Sequence, residues 1–276
     1  MFIIHTKKEL NNYIKNKYRN KKVGFIPTMG SLHLGHLSLI KKAKDKNCLI
    51  CSSIFVNPRQ FNDSKDYKSY PRSLLKDINL LKKNNCNMVF IPNEKEIYPS
   101  TKKKRVRVKK YRKVLCDKYR RGHFDGVIDI IDILFDLIKP NFVFFGEKDF
   151  QQLKIIEEFI KLKKLKIKLI SCPSVRDKNG MSLSSRYNKF NNKQKNKFNK
   201  IAGVLKKAVN SIKESQINES LNLLKKEIKK IGIKKIDYIE IRENKNLKTT
   251  KVKKNARLFI AFYIDDIRII DNFELS

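Results

Sequence analysis

No stretch of this 276-residue chain is apolar for long enough to span a bilayer. The opening residues 1–8 lack the apolar core of a signal peptide. Together these absences predict a cytoplasmic protein with no membrane attachment. Cysteine is sparse: Cys48, Cys51, Cys86, Cys116 and Cys172 are odd in number and scattered, which argues against a disulfide framework. Cys48 and Cys51 form a C-x-x-C, but no second pair completes a zinc site. Their odd offset puts the two thiols on opposite faces of a strand, so both read as core residues. Acidic side chains are also scarce, 27 against 64 lysines and arginines, for a net charge of +37. Such an excess would suit a nucleic-acid surface. The lysines, however, are spread along the whole chain and no aromatics interleave with them as a stacking platform would need. Lys, Asn and Ile all have A/T-rich codons, so compositional drift accounts for the charge better, and nucleic acid is not an expected partner.

What is present is a regular alternation. Strand-like apolar runs fall near residues 23–27, 48–56, 87–91, 142–146 and 166–171, with amphipathic segments near 35–45, 72–84, 124–138 and 148–163. Continuous apolar strands alternating with helices predict an α/β fold, a Rossmann-like parallel sheet covered on both faces. Beyond about residue 186 the pattern changes. Surface-type helices span 190–230, and strands follow near 234–241, 257–263 and 267–273. The expected organisation is a nucleotide-binding domain over 1–174 and a smaller α+β domain over 175–276, with a hinge near 172–186. The Lys-rich stretch 102–113 reads as an exposed hairpin or loop, or alternatively as a polyanion contact.

Ligands of parallel sheets bind beyond the carboxyl ends of the strands, and four polar motifs fall there. The first joins a strand ending near Pro27 to a helix start through Met29, Gly30, Ser31, Leu32, His33, Leu34, Gly35 and His36. A strand, a turn and a helix N-terminus can offer N–H groups and a positive dipole end to phosphate, and two histidines three apart add donors. This His-x-x-His pattern resembles the HIGH signature of nucleotidyltransferases. The second, residues 53–61, carries Gln60, able to donate and accept. The third holds Gly146, Glu147, Lys148 and Asp149, with Gln152 one turn on; Lys148 supplies a compact positive charge, and Asp149 is either a ribose acceptor or a helix cap. The fourth, residues 175–186, joins Val175 to Leu183, Ser184, Ser185 and Arg186, hydroxyls and a guanidinium suited to phosphate oxygens. A further feature is the stripe Asp125, Asp129, Asp132 and Asp136 on one helix face. Pairing with nearby lysines explains it better than a metal does.

Taken in order, these motifs resemble the pantoate–β-alanine ligase (pantothenate synthetase) family over almost the whole chain. The marks are residues 27–30 with 32–36, 53–58 with Gln60 and Phe61, Tyr70 to Arg72, Gly122 to Phe124, 145–149 with Gln151 and Gln152, and Ser184 to Arg186. The resemblance implies an ATP-dependent condensation of (R)-pantoate with β-alanine through a pantoyl adenylate, releasing AMP and pyrophosphate. It implies catalytic roles for His33, His36, Lys148 and Arg186, with His36 the proton donor. It implies a nucleotide held by Met29 to His36, Gly146 to Asp149, Val175 and Leu183 to Arg186, with Gly35 leaving room for adenine. Gln60 and Gln152 would hold pantoate, Val127, Ile130 and Ile131 would wall in its dimethyl group, and Asp77 would partner Mg²⁺. A homodimer is implied too. The chain departs from the family pattern at Asp129 and Ile133, where Thr and Lys are usual, and at Asp117 and Arg121, where Gly and Pro are usual. Two other readings compete: another HIGH-type transferase, which the Gln60–Gln152 pair and the Ser-Ser-Arg ending disfavour, and a basic nucleic-acid-binding protein on an old fold.

Overall fold

Six short apolar strands pair in parallel in the computed structural model, which describes residues 1–17, 21–98 and 106–275. They are β1 (Phe2–Ile4), β2 (Val23–Thr28), β3 (Leu49–Ile54), β4 (Met88–Phe90), β5 (Phe142–Gly146) and β6 (Lys168–Cys172). Their order in the sheet is β1-β4-β3-β2-β5-β6. The connecting helices are α1 (Lys7–Lys17), α2 (Leu34–Lys44), α3 (Ser64–Lys68), α4 (Leu74–Lys83), α5 (Glu94–Ile97), α6 (Leu115–Tyr119), α7 (His123–Ile138) and α8 (Phe150–Leu162). Alternate residues of a strand face opposite sides, and both sides are covered. Phe25 meets Phe135 of α7 edge-on, ring centroids 6.5 Å apart, while Ile26 and Phe144 pack with Leu39, Ile40 and Ala43 of α2. This two-sided burial is why β2 and β5 read as unbroken apolar runs.

Two compact units make up the chain. The first comprises Met1–Arg112 and Arg120–Pro173, and the second Lys113–Tyr119 and Ser174–Ser276. The second unit holds α6, the helices α9 (Asn192–Ser211) and α10 (Ile217–Lys230), and an antiparallel sheet β7-β8-β9 (Ile236–Glu243, Ala256–Ile264, Ile267–Leu275). Its core joins Phe198, Ile201 and Leu205 of α9 and Leu224 and Ile228 of α10 to Ile260, Phe262 and Ile264 of β8. The α/β fold with a smaller α+β part is therefore as the residue pattern predicts. Five elements escaped that pattern: β1, α1, α3, α5 and α6. Strand β1 has three residues, and α1 is almost wholly polar, with Leu10 its one buried side chain. The chain's excursion at 113–119 into the second unit has no signature in composition. Of the Lys-rich stretch 102–113, residues 102–105 lie outside the described residues. All five cysteines are free, and four are buried, as core residues should be.

Candidate active site

The sheet order reverses at β2, which has β3 on one side and β5 on the other. Such a reversal opens a crevice beyond the strand ends. The turn after β2 and the turn Glu147–Asp149 after β5 flank it.

The β2 turn is built from backbone N–H groups that are nearly all taken. Gly30 and Ser31 both adopt positive φ, 79° and 51°. A side chain at Gly30 would meet the Asp77 carboxylate at 3.0 Å. Gly30 N donates to Thr28 Oγ1 (3.2 Å), and Thr28 Oγ1 donates to the Ser53 carbonyl (2.7 Å), stitching the turn to β3. Ser31 N and Leu32 N donate to the two oxygens of Asp77, at 2.8 and 2.7 Å. His33 is the N-cap of α2: its Nδ1 accepts from Gly35 N (3.1 Å), and His36 Nδ1 accepts from His33 N (3.3 Å), a reciprocal capping box. His36 N and Leu37 N donate to the His33 carbonyl. The helix N-terminus thus does not offer a row of free N–H groups, as the sequence suggested. What it offers is a dipole and two imidazoles.

Those imidazoles are fixed in tautomer by their own bonds. Each accepts at Nδ1, so the proton sits on Nε2, which is left to donate. The rings lie 4.2 Å apart between centroids. Burial first, then the charge of Lys148, lowers the His33 pKa to about 4. Burial, His33 and Lys148 together lower that of His36 to about 3. At neutral pH both rings are therefore neutral Nε2–H donors beside a cation. Gly35 has a local reason to be glycine: a Cβ there would stand 2.9 Å from the His33 ring. The collision anticipated with adenine is first of all a collision within the cap.

Gln60 ends a 3-10 turn, Pro58–Gln60, and is buried. Its Nε2 donates to Met29 Sδ (2.8 Å), so an expected pantoate residue and an expected nucleotide residue are in contact. Asn57 Nδ2 donates to Gln60 Oε1 (3.2 Å) and to the Gly126 carbonyl (2.9 Å). Tyr98 Oη donates to Asn57 Oδ1 (2.8 Å). The Gln60 carbonyl is held by His123 Nδ1 (2.7 Å), which puts that proton on Nδ1, and by Arg120 Nη2 (3.2 Å). Helix α7 lies against this turn through Gly126, where a Cβ would fall 2.2 Å from the Arg59 carbonyl oxygen. Beside it on α7 Val127 is buried, as are Ile130 and Ile131 one turn along. Asn57, Tyr98, Arg120 and His123 are positioning residues that sequence reasoning did not single out. The available signal was the placement of Asn57 and His123 inside the quoted motifs.

The remaining expected residues sort as follows. Gly146, Glu147 and Lys148 are half-buried at the β5 end, Asp149 is exposed and Gln152 half-buried. Asp149 precedes α8 without a side-chain capping bond, so the cap reading fails there. Glu147 Oε1 accepts from Ser171 Oγ (2.8 Å). In the second unit, Val175 O accepts from Leu183 N (2.9 Å), closing a loop. Ser184 caps the turn Ser185–Lys189 by accepting from Arg186 N (3.2 Å). Asp271 pins this loop, accepting from Arg176 Nη1 (3.1 Å) and Ser182 N (2.8 Å).

Asp77 sits behind the histidine turn. Expected as a metal partner, it is 1% exposed and has both oxygens engaged by backbone N–H groups. Burial outweighs those bonds and pushes its carboxyl up. Among the described residues no group of three or more His, Cys, Asp or Glu could hold a metal ion. The aspartate stripe of α7 pairs with cations, though only half of it with the expected lysines: Asp132 and Asp136 meet Lys163, while Asp125 meets Arg112 (2.9 Å) and Asp129 meets Arg59 (3.6 Å). The unusual Asp129 is thus neutralised by Arg59, whose guanidinium also lies 3.6 Å from the Tyr98 ring centre. No helix among the described residues is long and apolar enough to cross a membrane.

Known proteins with this arrangement are consistent in kind. The pantoate-beta-alanine ligase family model matches residues 2–274. Pantothenate synthetase from Clostridium botulinum (strain Loch Maree / Type A3) is 40% identical over 99% of both chains, and that from Sulfurihydrogenibium sp. is 38% identical over 94% of both. Among solved structures, pantothenate synthetase from Thermus thermophilus superposes with a TM-score of 0.91 at 31% identity, covering 99% of both chains. The pantoate-beta-alanine ligase from Francisella tularensis, complexed with beta-gamma ATP and beta-alanine, does so with a TM-score of 0.88 at 37% identity, over 99% of this chain and 97% of that one. With the ordered motifs, the reversed sheet and a match running nearly end to end, this chain belongs to the pantoate–β-alanine ligase family.

Proposed function

We infer that this protein condenses pantoate with β-alanine at the expense of ATP, yielding pantothenate, AMP and pyrophosphate. A carboxylate oxygen of pantoate attacks the α-phosphorus, and the bond to the bridging oxygen breaks with its electron pair leaving on pyrophosphate. The amine of β-alanine then attacks the acyl carbon, AMP leaves, and the amine gives up a proton. The substrate's own carboxylate is the nucleophile, so the protein supplies position and charge.

The observation that carries this reading is the pair of neutral imidazoles, His33 and His36, held as Nε2–H donors with Lys148 acting on both. Each Nε2–H can donate to a phosphate oxygen, and Lys148 brings the full charge. Met29 to His36, Gly146 to Asp149, Val175 and Leu183 to Arg186 serve the nucleotide. Gln60 and Gln152 take pantoate's hydroxyl and carboxylate, and Val127, Ile130 and Ile131 face its methyl groups. Mg²⁺ arrives with the phosphates of ATP. The protein works in the cytoplasm as a homodimer, and nucleic acid has no part in the reaction.

The test is AMP release from ATP and pantoate, with and without β-alanine, in wild type and His36→Ala. AMP that requires both substrates and collapses in the variant supports the reading. Absence of AMP from the wild type, with tight salt-sensitive RNA binding, would overturn it.

A further inference from the structure

The turn that carries the two histidines is held open from behind by a negative charge of the protein's own. Ser31 and Leu32 present successive N–H groups into one concavity, a backbone arrangement that binds anions. Ser31 is an L-residue at φ 51°, following Gly30 at φ 79°, so two left-handed residues in a row shape it. Such backbone persists only where its surroundings over-determine it. The concavity contains the Asp77 carboxylate, one oxygen per N–H, at 2.8 and 2.7 Å. Asp77 reaches it from the first turn of α4, 46 residues away in sequence from Ser31. The site is dry, with Asp77 1% exposed and Gly30 leaving no room between the turn and the carboxylate.

We propose that Asp77 is a positioning residue, a built-in anion that fills the Gly30–Leu32 concavity and thereby sets the direction in which His33 and His36 present Nε2–H to ATP. The inference rests on the ATP-dependent reading above. It has two consequences. The carboxylate fixes the register of the turn: Leu32 is followed directly by the N-cap His33, so its displacement displaces the cap. It also stops the phosphates of ATP from settling into the concavity, which would draw them away from the imidazoles. The role requires no metal, because both oxygens face backbone donors.

The test compares wild type, Asp77→Ala and Asp77→Asn, with sodium formate as the probe. In Asp77→Ala, kcat/KM for ATP falls on the order of 100-fold, as for a catalytic group displaced by about 1 Å. Formate re-enters the vacated concavity, raises the thermal midpoint of Asp77→Ala and restores part of its activity, while leaving wild type unchanged. The thermal readout needs no turnover, so it separates this proposal from the ligase reading, which fails on its own if wild type makes no AMP. Half-saturation by Mg²⁺ at saturating ATP stays at the wild-type value in both variants. Asp77→Asn, which keeps the shape and one acceptor, gives an intermediate loss and no response to formate. If Asp77→Ala does not fold, a raised KM for ATP in Asp77→Asn with an unchanged Mg²⁺ requirement carries the point. A raised Mg²⁺ requirement, or no response to formate in a folded Asp77→Ala, overturns it.

Discussion

Replacing Gly126 with alanine adds one methyl group at the place where helix α7 touches the turn that bears Gln60. The new Cβ would lie 2.2 Å from the Arg59 carbonyl oxygen, 2.4 Å from its carbon and 2.7 Å from Gln60 N. All three are backbone atoms, so no side-chain rotation relieves the contact. Restoring an ordinary carbon–oxygen separation requires the helix and the turn to part by about 1 Å. Overpacking of this kind costs about 1–3 kcal/mol. The separation also breaks the 2.9 Å bond from Asn57 Nδ2 to the Gly126 carbonyl, worth about 1 kcal/mol more. A total loss of about 2–4 kcal/mol is expected, read as a lower urea midpoint at unchanged slope. Because Gln60 moves with its turn, KM for pantoate rises about 10- to 100-fold, while KM for ATP changes far less. Steady-state AMP formation with each substrate varied in turn separates the two. An unchanged pantoate KM in a destabilised variant would refute the claim that this contact positions Gln60; unchanged stability would refute the contact itself.

Two further outcomes follow from the charged groups. The folded pKa values of His33 and His36, about 4 and about 3, lie below the unfolded value near 6.5, so the unfolded chain takes up protons first as pH falls. Their contribution to stability is complete above pH 6.5 and erodes toward acid, by about 2 kcal/mol per histidine between pH 7 and pH 5. The double variant His33→Asn with His36→Asn, which keeps an acceptor in place of each Nδ1, should lose about 4 kcal/mol less over that range in urea unfolding. An identical pH slope would contradict the neutral-imidazole assignment. In the second unit, Asp271→Ala frees Arg176 and Ser182 N from the carboxylate they share. It should speed tryptic cleavage after Lys178 and raise KM for ATP, whereas protection equal to wild type would show that the loop is held by other bonds.

The parts of this fold that sequence revealed are those governed by short-range repetition. The unbroken apolar runs of β2, β3 and β5 announce two-sided burial, and α7 shows its buried face plainly through Val127, Ile130, Ile131 and Leu134. Strand β1 and helix α1 stayed hidden because three residues carry no period and a single buried Leu10 makes no stripe. At the site, local motifs placed the histidines, Gln60 and Lys148 at strand ends. The bonds that orient them join residues far apart: Asp77 to Ser31, His123 to Gln60, Asn57 to Gly126. No spacing rule encodes a contact across 46 to 69 positions. The same holds for the departures from the family pattern. Asp129 looks anomalous on its helix until Arg59 is seen beside it.

The strand reversal at β2 also governs when the site can come into being. Gly24 pairs with Phe142 and Val23 N donates to Asn141 Oδ1, 118 residues downstream. Joining ends so distant is entropically slow in a parallel sheet. On the ribosome, the histidine turn is therefore synthesised early and waits, one flank of its strand unpaired, until β5 emerges. Until then the nascent chain has two histidines in a turn but no Lys148 beside them, and an exposed β2 edge for which chaperones and neighbouring chains compete.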